Sequence, residues 1–477
     1  MTGVLAFLVV FLSLVIILIV PAFVAPEFIA SNGPVSILDS SQAVLLGCCL
    51  AGFVTLLISR SRVQTEFLLR LFLGALLLRM LVAAAIFVFN LQSFFGGDAY
   101  TYDSFGFLQC LGWQGDAYAQ LLAQAYVNKA GSGWGMVYFV AAIYELVGRN
   151  MLATQMINSV LGAATAPLIF LSALAVFENL RVARWSAFAV AFMPSLILWS
   201  SQGLKDGPIM FFLALSILAT LKLSQKFTWK YLLALTLALV CMLAFRFYIF
   251  YMLVVAIGGT LVIGTRVITG HSLMRQFALL VVLSVMMTFC GAIMGARGHF
   301  ETYGSLRQVQ VNRLDAATSA NSGFAKNTDV STAAGAVSAI PVGMVYLLLA
   351  PFPWQLGSLR QAITLPEMVV WWCSFPMLII GLCYSIRYHF RQVLPILIFT
   401  IMLTLAYSVF QGNVGNAYRQ RAQMQIFYFI FASVGYVALW QRMRQPERAR
   451  THPARPVHVR DQCGSDLYRF THGPDLD

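Results

Sequence analysis

Long apolar runs recur along this sequence, and they constrain its fold more than any other feature. Each run holds roughly 18 or more residues, enough for a helix to cross a bilayer core of about 30 Å. Only 10% of the 477 residues are charged, whereas a soluble domain averages about 25%. The runs do not alternate polar and apolar residues as barrel strands do. Since lipid leaves only helices or closed barrels able to satisfy the backbone, the sequence predicts an all-α polytopic transmembrane bundle.

The runs and the basic turns between them predict a membrane topology. Two shorter apolar stretches, 135–148 and 339–352, would break the alternation of sides if they crossed, so we predict interfacial or re-entrant segments there. With the N-terminus in the cytoplasm, every predicted inner turn then carries Lys or Arg, as the positive-inside rule requires. We predict about twelve spans, at residues 4–24, 43–59, 67–90, 151–177, 184–201, 206–223, 231–246, 247–265, 276–295, 366–384, 393–410 and 424–440.

The net charge of +13 is explained by this topology. The basic residues collect in the inner turns and in the tail 441–477, which we predict to be cytoplasmic and disordered. We therefore expect no nucleic-acid partner, although the tail is suited to anionic lipid headgroups. Most of the eight cysteines lie in apolar runs, where cysteine behaves as a small hydrophobe, and none has the spacing of a zinc site.

The predicted outer face carries less regular sequence. Loop 91–150 contains 115–126, GDAYAQLLAQAY, whose apolar residues share one helical face and predict a helix lying on the membrane. Segment 296–338 is rich in small polar residues that cannot build a core. A loop of that length is usually either functional or disordered.

Two acids follow the third span, in the segment 94–105, FFGGDAYTYDSF. Asp98 and Asp103 are predicted to lie in an outer loop. They are either solvated loop acids or carboxylates held beside the bilayer as a general base or metal ligand. Asp206, after Lys205, lies at a turn on the same predicted face. It is either a helix cap, favoured by the helix dipole, or a second member of one site.

Arginines outside the inner turns complete the candidate set. Arg246 interrupts an apolar run, where it either snorkels to the interface or binds an anion. Arg419 and Arg421 break the positive-inside pattern, as ordinary loop arginines or as phosphate ligands, since Arg pairs phosphate with two hydrogen bonds. Acids, arginines and lateral access from the bilayer together favour transfer of a group from a lipid-linked phosphate.

The chain resembles the polytopic glycosyltransferases of the GT-C class, which use lipid-phosphate sugars. Within that class it is most similar to the bacterial branch related to protein O-mannosyltransferases and the lipid A aminoarabinose transferase. The likeness covers most of residues 65–440 and departs from the family in two ways. Two extra helices in 1–64 precede it, and Ala99 stands where protein mannosyltransferases often carry a second acid, which puts a protein acceptor in doubt. The motifs are GGDAYTYD, YFVAAIYELVGRNMLATQMINSVLGAATAPLIFLSALAVF, PSLILWSSQGLKDGPIMFFLALS and GNVGNAYRQR.

The resemblance implies a site and its substrates. The donor would be a polyprenyl-phosphate sugar, and the acceptor a hydroxyl of a cell-envelope glycan, lipid or protein, at the periplasmic face of the bacterial inner membrane. Asp98 and Asp206 would be catalytic, as acid–base groups or ligands of a divalent metal ion. A catalytic core at 65–440 would include the outer loops 91–150 and 296–365. The substrate-binding residues would be Tyr102, Asp103, Lys205, Arg246, Arg419 and Arg421.

Three other functions stay open on the sequence. A polymerase or ligase of lipid-diphosphate-linked polysaccharide would share the outer arginines, but it would depend on arginine and histidine more than on Asp98. Apart from His299, the predicted outer loops contain no histidine. A lipid-glycan transporter would favour internal repeats and helices broken at the midplane, whereas the charges here cluster at one face. A scaffold of an envelope-assembly complex is separated from these only by an activity assay.

Overall fold

The regular structure of the chain is helical wherever it is described. The only bridge between extended residues there joins Gly323 and Asn413. This confirms the predicted all-α bundle. The predicted span 4–24, parts of 276–295 and the end of the tail, 452–477, lie outside the described residues. The computed structural model describes residues 37–61, 63–130, 134–263, 280–288, 299, 304–318 and 322–451.

Sixteen helices are numbered here in chain order. Helix α15 consists of two helices joined at a kink, because His389 has non-helical backbone angles (φ −129°, ψ 22°). The predicted spans 366–384 and 393–410 lie on either side of it. The helices are α1 (Ile37–Ser59), α2 (Thr65–Val88), α3 (Gln92–Phe95), α4 (Asp98–Trp113), α5 (Ala117–Ala130), α6 (Gly135–Val147), α7 (Met151–Phe177), α8 (Leu180–Phe192), α9 (Pro194–Ser200), α10 (Asp206–Gln225), α11 (Trp229–Phe245), α12 (Phe247–Ile263), α13 (Leu306–Thr318), α14 (Ala333–Leu349), α15 (Leu359–Phe410) and α16 (Val414–Thr451).

The described helices include enough long apolar segments for a multi-pass membrane protein. Among them, 6 are long and apolar enough to cross a bilayer, or up to 7 if the bent pair α8–α9 is one span. Helices α6, α11, α12 and α14 are apolar but shorter. The number of about twelve spans and the interfacial placement of 135–148 and 339–352 therefore stay predictions. The helix predicted over 115–126 is confirmed as α5.

Helix α7 supports the helices around it. It packs against α1, α2, α8 and α10, and its small side chains allow those helices to approach closely, as is common between membrane helices. Gly162 is the clearest case, because a Cβ atom there would lie 2.3 Å from Cβ of Ser200. The close contact fixes the end of α9 against α7, and the turn 201–205 leads directly from that end.

A proline breaks the helix between α8 and α9, which meet at 55°. Pro194 has no N–H, so the carbonyl of Val190 loses its partner one turn earlier. Arg79 of α2 replaces that partner: its Nη2 donates to Val190 O at 3.2 Å, and its Nη1 donates to Ala191 O at 2.7 Å. The buried arginine inside the third predicted span is thus explained, because it satisfies the carbonyls that the break exposes.

Two segments predicted as loops are helical. The stretch DAYTYDSF forms the start of α4, because Asp98 follows a Gly-Gly turn and occupies the first helical position, where the helix dipole favours an acid. Segment 296–338 contains α13. Its Arg313 is buried and donates to the carbonyl oxygens of Val409 and Gln411, both at 2.8 Å. These hydrogen bonds attach α13 to α15, although the composition of segment 296–338 predicts no packed core.

A second unit of the chain begins at Ala438. Helix α16 continues through the described part of this unit to Thr451. The first residues of the segment predicted as a disordered tail are therefore helical.

Candidate active site

One arginine joins two acids that are far apart in sequence. Asp98 begins α4, Asp206 begins α10, and Arg419 lies in the second turn of α16. Arg419 Nε donates to Asp206 Oδ2 at 2.6 Å, and Arg419 Nη1 donates to Asp98 Oδ2 at 2.7 Å. A single guanidinium thus bridges the two carboxylates that were selected from the sequence as catalytic candidates.

A second arginine approaches the buried acid. Arg246, between α11 and α12, places Nη2 3.5 Å from Asp206 Oδ1. Its Nη1 donates to the hydroxyl groups of Tyr248 and Tyr407 at 3.1 and 3.0 Å. The Asp206 side chain is 0% exposed and that of Asp98 is 58% exposed. A buried carboxylate needs compensating charge, so Asp206 anchors the two arginines, while Asp98 is the carboxylate open to a ligand.

Lys205 adds a third cation beside the buried acid. Its ammonium nitrogen lies 6.0 Å from the centroid of the Tyr102 ring. Burial lowers the pKa of Lys205 to about 7, and the positive charges of Arg246 and Arg419 contribute. Lys205 is therefore close to its titration point at neutral pH, and a bound anion would favour its charged form. We name the following five residues the charged cluster: Asp98, Lys205, Asp206, Arg246 and Arg419.

A cavity of about 450 Å³ opens beside the charged cluster and is lined in part by Asp98 and Arg419. Its volume is within the roughly 300–1,000 Å³ typical of ligand pockets. The Trp199 ring forms part of the wall, with its centroid 5.8 Å from the guanidinium carbon of Arg419. The cavity thus places hydrogen-bonding groups next to an exposed carboxylate. Its other polar side chains include Ser322, Ser358, Gln361, Thr364, Asn413 and Asn416.

Two predicted substrate-binding residues contact groups outside the charged cluster. Asp103 of α4 pairs with Arg149 at 2.6 Å and accepts a hydrogen bond from the Tyr144 hydroxyl. Arg421 is fully buried, and its Nη1 donates to two backbone carbonyls at the C-terminal end of α14, both at 2.9 Å. The structure does not bring either side chain into the charged cluster. Their contacts with substrate remain predictions.

Three residues beside the charged cluster and the cavity were not predicted from the sequence. Tyr407 is buried and donates to Gln423 Oε1 at 2.7 Å, so it links Arg246 to α16. Arg360 lines the cavity, where its guanidinium carbon lies 5.4 Å from the centroid of Phe94. Trp199 is the third. A tyrosine or tryptophan within an apolar run is ordinary, and so its residue type alone gave no functional signal.

The two acids do not fit a metal held between them in this arrangement. Among the described residues, no group of three or more His, Cys, Asp or Glu side chains is placed to hold a metal ion. A cation bound by both Asp98 and Asp206 would have to displace the Arg419 guanidinium, which already supplies positive charge there. The metal-ligand role of Asp98 and Asp206 stays a prediction, which a chelator tests directly.

Two solved structures are similar to the chain, and both are oligosaccharyltransferases from Archaeoglobus fulgidus. One is AglB in complex with an inhibitory peptide and a dolichol-phosphate. It is 13% identical over 68% of this chain and 44% of its own, with a TM-score of 0.39. The other, in the apo form, is 12% identical over 82% of this chain and 53% of its own, with a TM-score of 0.41. The chain thus spans about half the length of these structures. No curated protein matches it.

A family model matches the middle of the chain. Residues 134–291 match the model of the dolichyl-phosphate-mannose-protein mannosyltransferases, and this stretch is roughly a third of the sequence. It includes Lys205, Asp206 and Arg246 of the charged cluster, whereas Asp98 and Arg419 lie on either side of it. The match over these residues confirms the resemblance, stated from the sequence, to the GT-C class of membrane glycosyltransferases.

Proposed function

We propose that the chain transfers a sugar from a polyprenyl-phosphate-linked donor to a hydroxyl group of a cell-envelope glycan, lipid or protein. The observation that carries the proposal is the Arg419 guanidinium, shared by exposed Asp98 and buried Asp206 beside a cavity. Glycosyl transfer from a phosphate needs a group that accepts a proton and a cation that stabilises the leaving group. The matching family model is named for a lipid-phosphate sugar, which supports a donor of that class.

Each member of the charged cluster has a role in the proposed reaction. The acceptor hydroxyl gives its proton to Asp98, and its oxygen forms a bond to the anomeric carbon of the donor. The bond between that carbon and the phosphate oxygen breaks, and its electron pair stays on the phosphate. Arg419 and Lys205 stabilise the negative charge that develops there. Asp206, which is also paired with Arg246, holds Arg419 in position. From the sequence, Asp206 was predicted to be catalytic or a metal ligand, and Arg246 to bind substrate.

Arg419 is able to serve both the carboxylates and a phosphate. A guanidinium has five N–H donors in a planar fork, and the two carboxylates use only the donors on Nε and Nη1. We assign the acceptor to the cavity, because Asp98 lines it and its hydroxyl and amide side chains suit a polyhydroxylated molecule. The donor lipid would enter from the bilayer. We place this site at the periplasmic face of the bacterial inner membrane, with both termini in the cytoplasm.

The test of this proposal is release of polyprenyl phosphate from a panel of lipid-phosphate sugars by the purified protein in lipid. We expect at least one donor to turn over, and faster when an acceptor is present. A parallel reaction with a chelator decides between Asp98 as a metal-free base and Asp98 as a metal ligand. If folded protein releases no lipid phosphate, and polymerises or ligates lipid-diphosphate glycans instead, the alternative of a polysaccharide polymerase or ligase replaces this proposal.

Lys205 predicts a pH dependence. We expect kcat/KM for the donor to decline as the pH rises through about 7, because Lys205 is charged below that pH and neutral above it, and only the charged form attracts phosphate. Lys205→Arg, which stays charged at every working pH, should remove the decline. Lys205→Met should lower kcat/KM below pH 7 and flatten the profile. An alkaline decline that persists unchanged in Lys205→Arg would show that another group causes it.

A further inference from the structure

Four buried amide side chains lie between the segments that carry the two acids, and the proposed reaction uses none of them. Gln92 is 3% exposed and the other three are 0% exposed. We name Gln92, Gln155, Asn158 and Gln202 the amide network. Gln92 lies in α3, which precedes Asp98, and Gln202 lies in the turn that precedes Asp206. Gln155 and Asn158 lie in α7.

Gln92 connects the two acid-bearing segments directly. Its Nε2 donates to the carbonyl oxygen of Gly96 at 2.8 Å and to Oε1 of Gln202 at 2.9 Å. Gly96 lies two residues before Asp98, and a Cβ atom there would meet Oε1 of Gln202 at 3.8 Å. The turn before Asp98 is thus held against the turn before Asp206 by one side chain.

Helix α7 holds the same pair of turns from behind. Asn158 Nδ2 donates to the carbonyl oxygens of Gln202 and Leu204, both at 2.7 Å. Gln155 Nε2 donates to Gln92 Oε1 at 3.3 Å. Buried amides and carbonyls without partners are costly, so these contacts favour a single arrangement of the two turns.

We propose that the amide network is a positioning device, which sets the separation of Asp98 and Asp206 so that one Arg419 guanidinium reaches both. The fork of an arginine is rigid, and hydrogen bonds weaken steeply when their geometry departs from the optimum. A shift of about 1 Å in a reacting group is able to cost a factor of roughly 100 in rate. This inference rests on the proposed function, because the distance that it explains separates the proposed base from the acid that anchors the phosphate-binding arginine.

Single and paired replacements separate positioning from packing. In Gln92→Leu and Gln202→Leu we expect kcat for the identified donor to fall about 10- to 100-fold, with a smaller change in KM. In the paired variant, Gln92→Leu with Gln202→Leu, both hydrogen-bond partners are replaced by apolar side chains, so we expect much of the thermal stability to return. We expect no such return of kcat, because the Gly96 carbonyl is still not held. Gln425→Leu is the matched control, since Gln425 is also buried but lies outside the network.

Hydrogen exchange tests the positioning role of the amide network without requiring turnover. In either single variant we expect faster exchange of the backbone amides in both turns, 97–99 and 203–206, and no change in Gln425→Leu. The inference is overturned if kcat returns with stability in the paired variant, or if exchange rises only in the turn that carries the replacement. Failure of every donor to turn over would count against the proposed function, and the exchange experiment would still decide the role of the network.

Discussion

Asp98→Asn is expected to lower kcat by about 10²- to 10⁴-fold while the protein stays folded. Asparagine has the same size and still accepts a hydrogen bond from Arg419, but it cannot accept a proton, and a positioned general base contributes a factor of that order. The Asp98 side chain is 58% exposed, and an ion pair at an exposed site contributes little to stability, about 0–1 kcal/mol. Because Arg419 keeps its bond to buried Asp206, the loss should fall on the chemical step.

The measurement is single-turnover release of lipid phosphate, with thermal unfolding of each variant recorded in the same lipid. Asp315→Asn is the matched control, because Asp315 is an exposed acid of α13 and lies outside the charged cluster. We expect it to keep wild-type turnover. If Asp98→Asn matches wild type while arginine variants fail, Asp98 is only the first residue of a helix. The polymerase or ligase alternative would then gain support.

Much of the fold could be predicted from the sequence, because the bilayer sets both the length and the apolar character of a span. The kink of α15 at His389 falls between the predicted spans 366–384 and 393–410, where a turn is expected. The prediction fails at α13, which forms in a segment with few apolar residues, since Arg313 attaches it to carbonyls of α15. That contact is not visible in composition or periodicity.

The candidate site could be predicted in part, for a physical reason. A charged side chain beside or within lipid is costly and rare, so Asp206, Arg246 and Arg419 were conspicuous among apolar neighbours. Because these residues are far apart in sequence, the sequence did not show how close their side chains lie in the fold. Arg421 was grouped with Arg419 because the two are close in a segment assumed to be a loop. On the observed helix, residues two apart face different sides, and Arg421 contacts carbonyls of α14 instead.

The amide network could not be predicted at all. Glutamine and asparagine are uncharged, and a few of them near the end of an apolar run are compatible with any turn. The role of these amides depends on which carbonyl oxygens they donate hydrogen bonds to. Gln92 and Gln202 are far apart in sequence. The packing of α9 against α7 and the hydrogen bond from Gln155 of α7 to Gln92 bring their amides within 2.9 Å. Positioning residues of this kind are recognised only from a structure, whereas charged residues in a membrane protein stand out in the sequence.

Arg419→Gln is expected to have the second large effect, on stability as well as on turnover. The replacement removes the nearer of the two arginines that compensate Asp206, whose side chain is 0% exposed, and leaves Arg246 at 3.5 Å as its remaining ion pair. Removing one partner of a buried ion pair typically costs about 3–5 kcal/mol. We therefore expect a marked fall in thermal stability in lipid and no measurable release of lipid phosphate.

A second variant separates these two effects. Arg419→Gln paired with Asp206→Asn removes the acid together with its compensating cation. It also leaves the buried Arg246 without its partner at 3.5 Å, so we expect only part of the lost stability to return. We expect turnover to stay absent, since the phosphate leaving group still lacks its cation. Arg419→Lys keeps the charge, but a single ammonium lacks the fork that bridges both carboxylates, so it should retain partial stability and weak turnover. Full turnover in the paired variant would mean that Arg419 serves only to neutralise Asp206, and the phosphate would then have to be held by Lys205 and Arg246.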